Sequence, residues 1–218
     1  MLLDLLTVAV LAWFGSRLVV SFRRALTGPA RARSVAIARG LRPRHFVPIP
    51  FVLTAVVAAA LALTALPLLS FGWWTAIGGQ GNPVFGVTDR TAGSALSVFV
   101  PIVFLVLLVP ALPLLVETEE RMFRQGAEAW SWPRRVGKVV LFGLAHALIG
   151  IPIGFALALS IGGAWFMAAY LHRWHRTGSQ AQAVLESSRC HLAYNASIVT
   201  VVAVTFAVSL AAWVAGSV

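Results

Sequence analysis

Residues 95–126 read ALSVFVPIVFLVLLVPALPLLVETEERMFRQG, an apolar run that ends in three glutamates within four positions. A membrane-spanning helix needs about 20 predominantly apolar residues to cross a hydrocarbon layer about 30 Å thick. In that layer a helix can pair all of its own backbone polar groups. The stretch therefore predicts a transmembrane helix over 95–118, with the glutamates at its polar end.

The remainder of the chain is also strongly apolar. Of the 218 residues, 59% are hydrophobic and 11% are charged, which lies outside the usual range of soluble domains. Further apolar stretches predict helices over residues 3–21, 46–70, 139–171 and 191–216. The first of these is interpreted as a retained helix and not as a signal peptide.

The stretch over 139–171 is too long for one span, and GIPIG at 150–154 interrupts it with glycine and proline. We expect a helical hairpin there, followed by a short amphipathic piece over 180–190. The predicted fold is an all-α, polytopic transmembrane helical bundle of about six helices. The chain is predicted to form a single integral membrane domain over 1–218, with a motif-bearing core at about 95–216.

The formal net charge of +10 is concentrated between the predicted spans. A predicted loop over 22–45 contains RRALTGPARARSVAIARGLRPRH, which has seven arginines and no interleaved aromatic residue for base stacking. The positive-inside rule explains this pattern as a cytoplasmic loop, so we expect no nucleic acid partner. Contact with anionic lipid headgroups is compatible with the same loop. Residues 71–93 carry only Arg90 as a basic side chain and are predicted to lie on the opposite face.

The composition also indicates an origin. Alanine, valine and arginine are abundant, whereas Lys138 is the single lysine, which is typical of a GC-rich bacterial genome. The predicted location is therefore a bacterial plasma membrane.

Three short segments bring polar side chains to the predicted cytoplasmic boundary. They are EERMFR at 119–124, FGLAH at 142–146 and HLAYN at 191–195. An ionisable group at hydrocarbon depth costs on the order of 3 kcal/mol on insertion scales, so such groups are functional candidates. In each segment two of the residues are four positions apart and share a helix face.

Taken by themselves, these residues allow several kinds of chemistry. A carboxylate beside an imidazole can hold and deprotonate a water molecule. Histidine and asparagine one helical turn apart can donate two hydrogen bonds to a tetrahedral oxyanion. The same groups could instead bind a divalent metal, and Glu120 with Arg124 could be a simple ion pair at a helix end. The spacing does not decide among these alternatives, and none of them gives a role to Glu117.

The three segments resemble the motifs of the CPBP family of intramembrane proteases, which is named for CAAX proteases and bacteriocin-processing enzymes and is also called the ABI family. Its motifs are Glu-Glu-x-x-x-Arg, Phe-x-x-x-His and His-x-x-x-Asn, and the similarity covers about residues 115–200. The resemblance implies an intramembrane endopeptidase. In this scheme Glu119 and His146 would activate water, and His191 and Asn195 would stabilise the oxyanion.

The resemblance also implies supporting roles and leaves the cofactor open. Glu120, Arg124 and Phe142 would position the site. Metal-free hydrolysis is preferred, because asparagine is an uncommon zinc ligand and the chain has no short His-Glu zinc motif. In the alternative scheme a divalent metal such as zinc would be bound by Glu119, His146 and His191.

The expected partners are membrane lipids and a peptide or membrane-protein substrate near the cytoplasmic face. A non-catalytic membrane binding protein or scaffold, for example in bacteriocin immunity, could use the same fold. A transporter with a proton relay is the least favoured alternative, because the sequence shows no inverted repeat.

Overall fold

The structure of the protein is a computed structural model that describes residues 2–76, 78 and 96–216. Its regular elements are helices, with ten α-helices within those residues: α1 (Leu2–Ala25), α2 (Gly28–Arg39), α3 (Pro43–Phe46), α4 (Ile49–Thr64), α5 (Trp73–Ala76), α6 (Leu96–Arg124), α7 (Trp132–Ala145), α8 (Ile153–Ala158), α9 (Ser160–Thr177) and α10 (Gln180–Val214). Two 3₁₀ turns, Ala127–Ala129 and His146–Ile149, precede and follow α7. The prediction of an all-α bundle is confirmed.

Four helical stretches within the described residues are long and apolar enough to cross a membrane. They are Pro43–Thr64, Phe99–Ala129, Ile153–Thr177 and Gln180–Val208. Many large apolar side chains on these stretches face outward, among them Phe51, Val106 and Val204, as expected for helices in contact with lipid. The protein is thus a membrane protein, although the predicted number of six spans is not confirmed.

The centre of the bundle is formed by α6, α9 and α10. Helix α10 packs along α9 and α6, α7 packs along α9, and α4 packs against α8. Close approach depends on Gly143 in α7, where an added Cβ would lie 2.5 Å from the carbonyl oxygen of Ala156. The predicted hairpin over 139–171 is present as α7 and α9, with a 3₁₀ turn and α8 between them.

The helix that carries the glutamates is longer than predicted. Helix α6 continues to Arg124 and does not end at 118, because its last turns contain two ion pairs spaced four residues apart. Gly126 then adopts a φ of +89°, a left-handed conformation that glycine tolerates and other residues avoid. The three glutamates therefore lie on the helix itself and not beyond its end.

Two other predicted boundaries were wrong. The break expected between 190 and 191 is absent, since α10 runs from Gln180 to Val214 with no glycine or proline to interrupt it. Its polar residues are accommodated by burial against α6 and α9. The predicted helix over 46–70 is shorter, because α4 ends at Thr64 and a turn before α5 pairs with α8 through Ile153 and Gly154.

The arginine-rich segment over 22–45, which the sequence predicted as a loop between spans, is mostly helical, and its cytoplasmic location stays a prediction. Helix α1 extends to Ala25, and α2 and α3 occupy most of the remainder. Alanine and arginine are strong helix formers, and proline stands in the first turn of α2. Ile37 of α2 is 1% exposed and packs with Val116 of α6 and Leu192 of α10. The segment is therefore docked on the bundle.

The predicted topology of the segment over 71–93 lies mostly outside the described residues, which omit 77 and 79–95. Within its first part, Trp73 and Trp74 meet edge to face with their ring centroids 5.6 Å apart. The indole N–H of Trp73 donates to the carbonyl oxygen of Leu148, which ties α5 to the turn after α7.

Candidate functional site

The three sequence segments meet around the ring of Phe142. Its centroid lies 5.0 Å from that of His146 and 5.5 Å from that of His191. The Arg124 guanidinium carbon stands 4.3 Å above the same ring, a cation–π arrangement. Residues from α6, α7 and α10 are thus brought together at one place in the bundle.

The carboxylate of Glu120 lies at the centre of this cluster. Its Oε1 accepts hydrogen bonds from Arg124 Nη1 at 2.6 Å and from His191 Nδ1 at 2.8 Å. Its Oε2 accepts from the hydroxyl of Ser187. Glu120 and Arg124 are both fully buried, where an unpaired charge would be strongly destabilising. The network compensates the buried charges and fixes the orientation of His191.

Two members of this site were not predicted from the sequence. Ser187 lies on α10 one turn before His191, and the i,i+4 spacing of Ser187, His191 and Asn195 is a signal that could have identified it. Phe166 of α9 stacks on the imidazole of His191, with centroids 4.3 Å apart and ring planes 19° apart. No local pattern marks Phe166, because its role depends on how α9 packs against α10.

The protonation of His191 follows from its partner. An ionised carboxylate can only accept, so the hydrogen bond to Glu120 places a proton on His191 Nδ1. The other nitrogen, Nε2, lies 3.8 Å from Oε2 of Glu119, beyond hydrogen-bond distance. Although Glu119 Oε2 is buried, it has no hydrogen-bond partner in the structure. Oε2 of Glu119 and Nε2 of His191 therefore lie close together without a hydrogen bond between them.

Glu119 differs from its neighbour Glu120 in its surroundings. Its side chain is 35% exposed while the Oε2 atom is covered. The two adjacent glutamates thus separate into a fully buried one that holds Arg124 and His191, and a partly accessible one whose buried oxygen is unpaired. Of the two, Glu119 is the carboxylate that is partly accessible and also lies near Nε2 of His191.

His146 begins the 3₁₀ turn that follows α7 and is partly buried. Its Nδ1 lies 2.9 Å from the carbonyl oxygen of Phe142. A carbonyl only accepts, so Nδ1 carries a proton, and in the neutral form of the imidazole the lone pair is on Nε2. A histidine in this state can accept a proton from water or bind a metal.

Asn195 lies one turn beyond His191 on α10, partly buried. The structure gives its amide no hydrogen bond to another described residue, so both of its N–H donors are unused. The sequence placed His191 and Asn195 on one helix face, and the continuous α10 is consistent with that spacing. No measured contact joins Asn195 to Glu119 or His146.

The described residues show no ready-made metal cluster. They contain no group of three or more histidine, cysteine, aspartate or glutamate side chains arranged to hold an ion. The zinc ligands expected in the alternative scheme, Glu119, His146 and His191, therefore do not form such a group. Protein zinc sites commonly use at least three protein ligands, so metal-free hydrolysis and the zinc-dependent alternative both stay predictions.

Glu117, which had no role at the level of the sequence, belongs to a separate ion-pair cluster. Its Oε1 accepts from Arg121 at 2.7 Å, and its Oε2 accepts from Arg33 at 3.2 Å. Arg33 lies on α2 and Arg121 on α6. Glu117 thus helps to attach the arginine-rich helix to the helix that carries Glu119 and Glu120.

Comparisons of the chain with family models, with curated proteins and with solved structures found no match. The resemblance of the three segments to the CPBP motifs therefore stands on the residues themselves.

Proposed function

We propose that the protein is an intramembrane endopeptidase that hydrolyses peptide bonds of membrane-associated proteins or peptides without a metal. The observation that carries this proposal is the buried, unpaired Oε2 of Glu119, which lies 3.8 Å from Nε2 of an imidazole held by Glu120. A buried carboxylate oxygen that accepts no hydrogen bond from the protein can accept one from water. A water molecule and a substrate carbonyl would complete the site.

In the proposed reaction, Glu119 and His146 act on a water molecule. The water oxygen attacks the carbonyl carbon of the peptide bond while its proton passes to Glu119 or to Nε2 of His146. The new carbon–oxygen bond produces a tetrahedral intermediate with a negative oxygen. When the intermediate collapses, the carbon–nitrogen bond breaks and the same proton passes to the departing amine.

His191 and Asn195 would stabilise the negative oxygen of the intermediate. In the doubly protonated form of His191, Nδ1 donates to Glu120 and Nε2 would donate to the oxyanion. The unused amide N–H groups of Asn195 supply a further donor one turn along the same helix. Preorganised donors of this kind typically contribute a factor of about 10²–10³ each to the rate.

The remaining residues of the site would hold these groups in position. Glu120, Arg124 and Ser187 form the hydrogen-bond network that orients His191, and Phe142 and Phe166 confine its ring. Preorganisation of this kind matters because misplacement by about 1 Å can reduce a rate by about 10²-fold. These are positioning residues and would not touch the substrate.

The basic side chains around the site support a location near the cytoplasmic face. Arg121, Arg134, Arg135 and Lys138 follow the glutamates in sequence, at one end of a candidate span. Under the positive-inside rule this end faces the cytoplasm. The proposed site therefore lies at the cytoplasmic boundary of a bacterial plasma membrane.

A second candidate is a non-catalytic membrane binding protein or scaffold with the same fold, for example an immunity protein. The near-complete burial of Glu120, Arg124 and His191 favours it, because buried ionic networks can serve specificity of packing without catalysis. In that case the protein would keep its biological effect when Glu119, His146 and His191 are all replaced.

The decisive experiment compares membrane fractions of cells that express the wild-type chain, Glu119→Gln, His146→Gln or Glu117→Gln. Mass spectrometry of new protein N-termini would identify cleavage products. We expect products in the wild type and in Glu117→Gln, and none in the other two variants. Unchanged products in Glu119→Gln, at equal protein level, would exclude the proposed mechanism.

A further inference from the structure

A second concentration of charge lies outside the proposed catalytic residues, in a pocket between α3, α9 and α10. The pocket has a volume of about 170 Å³, room for about five or six water molecules. Its lining consists of four basic residues and one acid, namely Arg44, His172, Arg173, Arg176 and Glu186. The pocket lies beside the turn where α9 ends at Thr177 and α10 begins at Gln180.

The single acid of the pocket is already neutralised by other groups. Oε1 of Glu186 accepts from Arg44 Nη2 at 2.8 Å and from His45 Nε2 at 3.2 Å. His45 donates through Nε2 because its Nδ1 accepts the backbone N–H of Arg42. Arg189 Nη1 lies 3.5 Å from the other carboxylate oxygen. Glu186 is therefore paired with Arg44, His45 and Arg189 and does not form an ion pair with Arg173 or Arg176.

Two guanidinium groups of the pocket lack an acidic partner in the described part of the chain. Arg173 donates to the neutral side chain of Gln182 at 2.5 Å, and Arg176 forms no ion pair or hydrogen bond there. The two residues are three positions apart on α9, where like charges repel each other. A bound anion would remove this repulsion and use the free N–H donors.

The geometry points to the phosphate group of an anionic phospholipid as the ligand of this pocket. Arginine binds phosphate oxygens in a planar, two-pronged arrangement that suits phosphate better than a point charge does. The pocket lies at the ends of two candidate spans, Ile153–Thr177 and Gln180–Val208, which is the depth of lipid headgroups. Glu186 is the one acidic residue among the described residues that line the pocket, and it is already paired with basic residues. The described lining therefore has no free carboxylate to bind the cationic headgroup of a zwitterionic lipid.

An apolar surface for the lipid chains begins close to the pocket in sequence. Three exposed apolar residues follow Arg44 in sequence: Phe46 at the end of α3, Val47 in the turn after it and Phe51 on α4. A lipid whose phosphate meets Arg173 and Arg176 could therefore extend its acyl chains along α4. This binding role goes beyond the proposed proteolysis and does not depend on it.

The test uses the purified full-length chain after removal of its lipids. Titration with phosphatidylglycerol, with phosphatidylcholine and with inorganic phosphate would be followed by native mass spectrometry and by thermal unfolding. The pocket variant is Arg173→Gln with Arg176→Gln. The matched control is Arg31→Gln with Arg39→Gln, which removes two exposed arginines of α2 that have no ion pair among the described residues.

We expect the wild type and the control to bind phosphatidylglycerol more tightly than phosphatidylcholine. The pocket variant should lose about 100-fold in affinity for phosphatidylglycerol, since one hydrogen bond to a charged group contributes about tenfold and the variant removes both guanidinium groups. An equal loss in the control would overturn the proposal in favour of general surface charge. Inorganic phosphate that binds as tightly as phosphatidylglycerol would overturn it in favour of a soluble anion.

Discussion

The carboxylate of Glu120 and the imidazole of His191 are joined by a 2.8 Å hydrogen bond between residues 71 positions apart in the sequence. The bond connects α6 to α10 and leaves Nε2 of His191 facing the unpaired oxygen of Glu119. The two adjacent glutamates therefore differ: Glu120 is a buried structural residue, and Glu119 is partly accessible. This difference between Glu119 and Glu120 determines how the protein should respond to substitution at each position.

The two glutamates should respond differently to the same substitution. Glu120→Gln leaves Arg124 as a buried cation without its counter-ion, and breaking a buried pair costs about 3–5 kcal/mol. Glu119→Gln removes no hydrogen bond and should change the free energy of unfolding by no more than about 0.5 kcal/mol. Unfolding with SDS in mixed micelles would measure both. Equal losses of stability in the two variants would show that Glu119 and Glu120 do not differ in this way.

An ion pair on the same helix provides the control for that measurement. Arg121 pairs with Glu117 at the same i,i+4 spacing, but its side chain is 49% exposed. Exposed pairs are worth about 0–1 kcal/mol, so Arg121→Gln should have a small effect. Replacing Glu120 and Arg124 together by apolar residues should restore part of the stability, because no unpaired charge then remains.

Two neighbouring glycines of α9 should differ in their tolerance of alanine. At Gly163 an added Cβ would lie 2.8 Å from Cδ1 of Phe142, whereas at Gly162 the nearest atom would be 3.8 Å away. Gly163→Ala should therefore displace the Phe142 ring and cost about 1–3 kcal/mol. Gly162→Ala should be neutral or stabilising by up to about 1 kcal/mol, because alanine favours the helix.

Gly162→Ala and Gly163→Ala also test whether Phe142 positions the two histidines of the proposed site. Since Phe142 contacts both His146 and His191, Gly163→Ala should reduce formation of cleavage products more than its loss of stability explains. Product formation would be normalised to the amount of folded protein in the membrane. Normal activity of folded Gly163→Ala would show that the Phe142 ring does not position the site.

The arginine-rich segment should behave as a docked helix and not as a mobile loop. Ile37 is 1% exposed among Leu112, Val116 and Leu192, and truncation of a buried isoleucine to alanine costs about 2–5 kcal/mol. Arg33→Gln breaks only a partly exposed pair and should cost no more than about 1 kcal/mol. Limited proteolysis should cut residues 28–42 faster in Ile37→Ala than in Arg33→Gln or the wild type.

Removal of metal ions should leave proteolysis intact. The proposed reaction uses Glu119 and His146 to activate water, and it assigns no step to a metal. Treatment of the purified protein with EDTA or with 1,10-phenanthroline should therefore leave the rate of product formation unchanged, and metal analysis should find less than one zinc per chain. Loss of activity on chelation, with recovery on addition of zinc, would favour the metal-dependent alternative.

The helical class and the approximate membrane helices could be predicted from the sequence because they depend on local composition. Apolar runs such as the one before Glu117 are long enough to cross the hydrocarbon layer, and a helix pairs all of its own backbone polar groups there. The boundaries were less predictable. Helix α6 extends past 118 and α10 passes through 190, because tertiary burial decides whether a polar turn remains helical.

The docking of the segment over 22–45 on the bundle also could not be predicted from its local sequence. Its charge pattern indicated a cytoplasmic connection, and its helical propensity was visible in its alanines and arginines. Its docking depended on Ile37 and on the pair between Arg33 and Glu117. Neither contact can be derived from local sequence, because the partners are provided by α6 and α10.

For the candidate site, the sequence by itself determined which side chains are available and which of them share a helix face, since the i,i+4 spacing within each segment is a property of the helix. Only the tertiary structure decided that Glu120 is buried against Arg124, Ser187 and His191 while Glu119 keeps an unpaired oxygen. The physical reason is that burial and hydrogen-bond partners are set by how α6, α9 and α10 pack. Two identical, adjacent residues thereby acquire different surroundings.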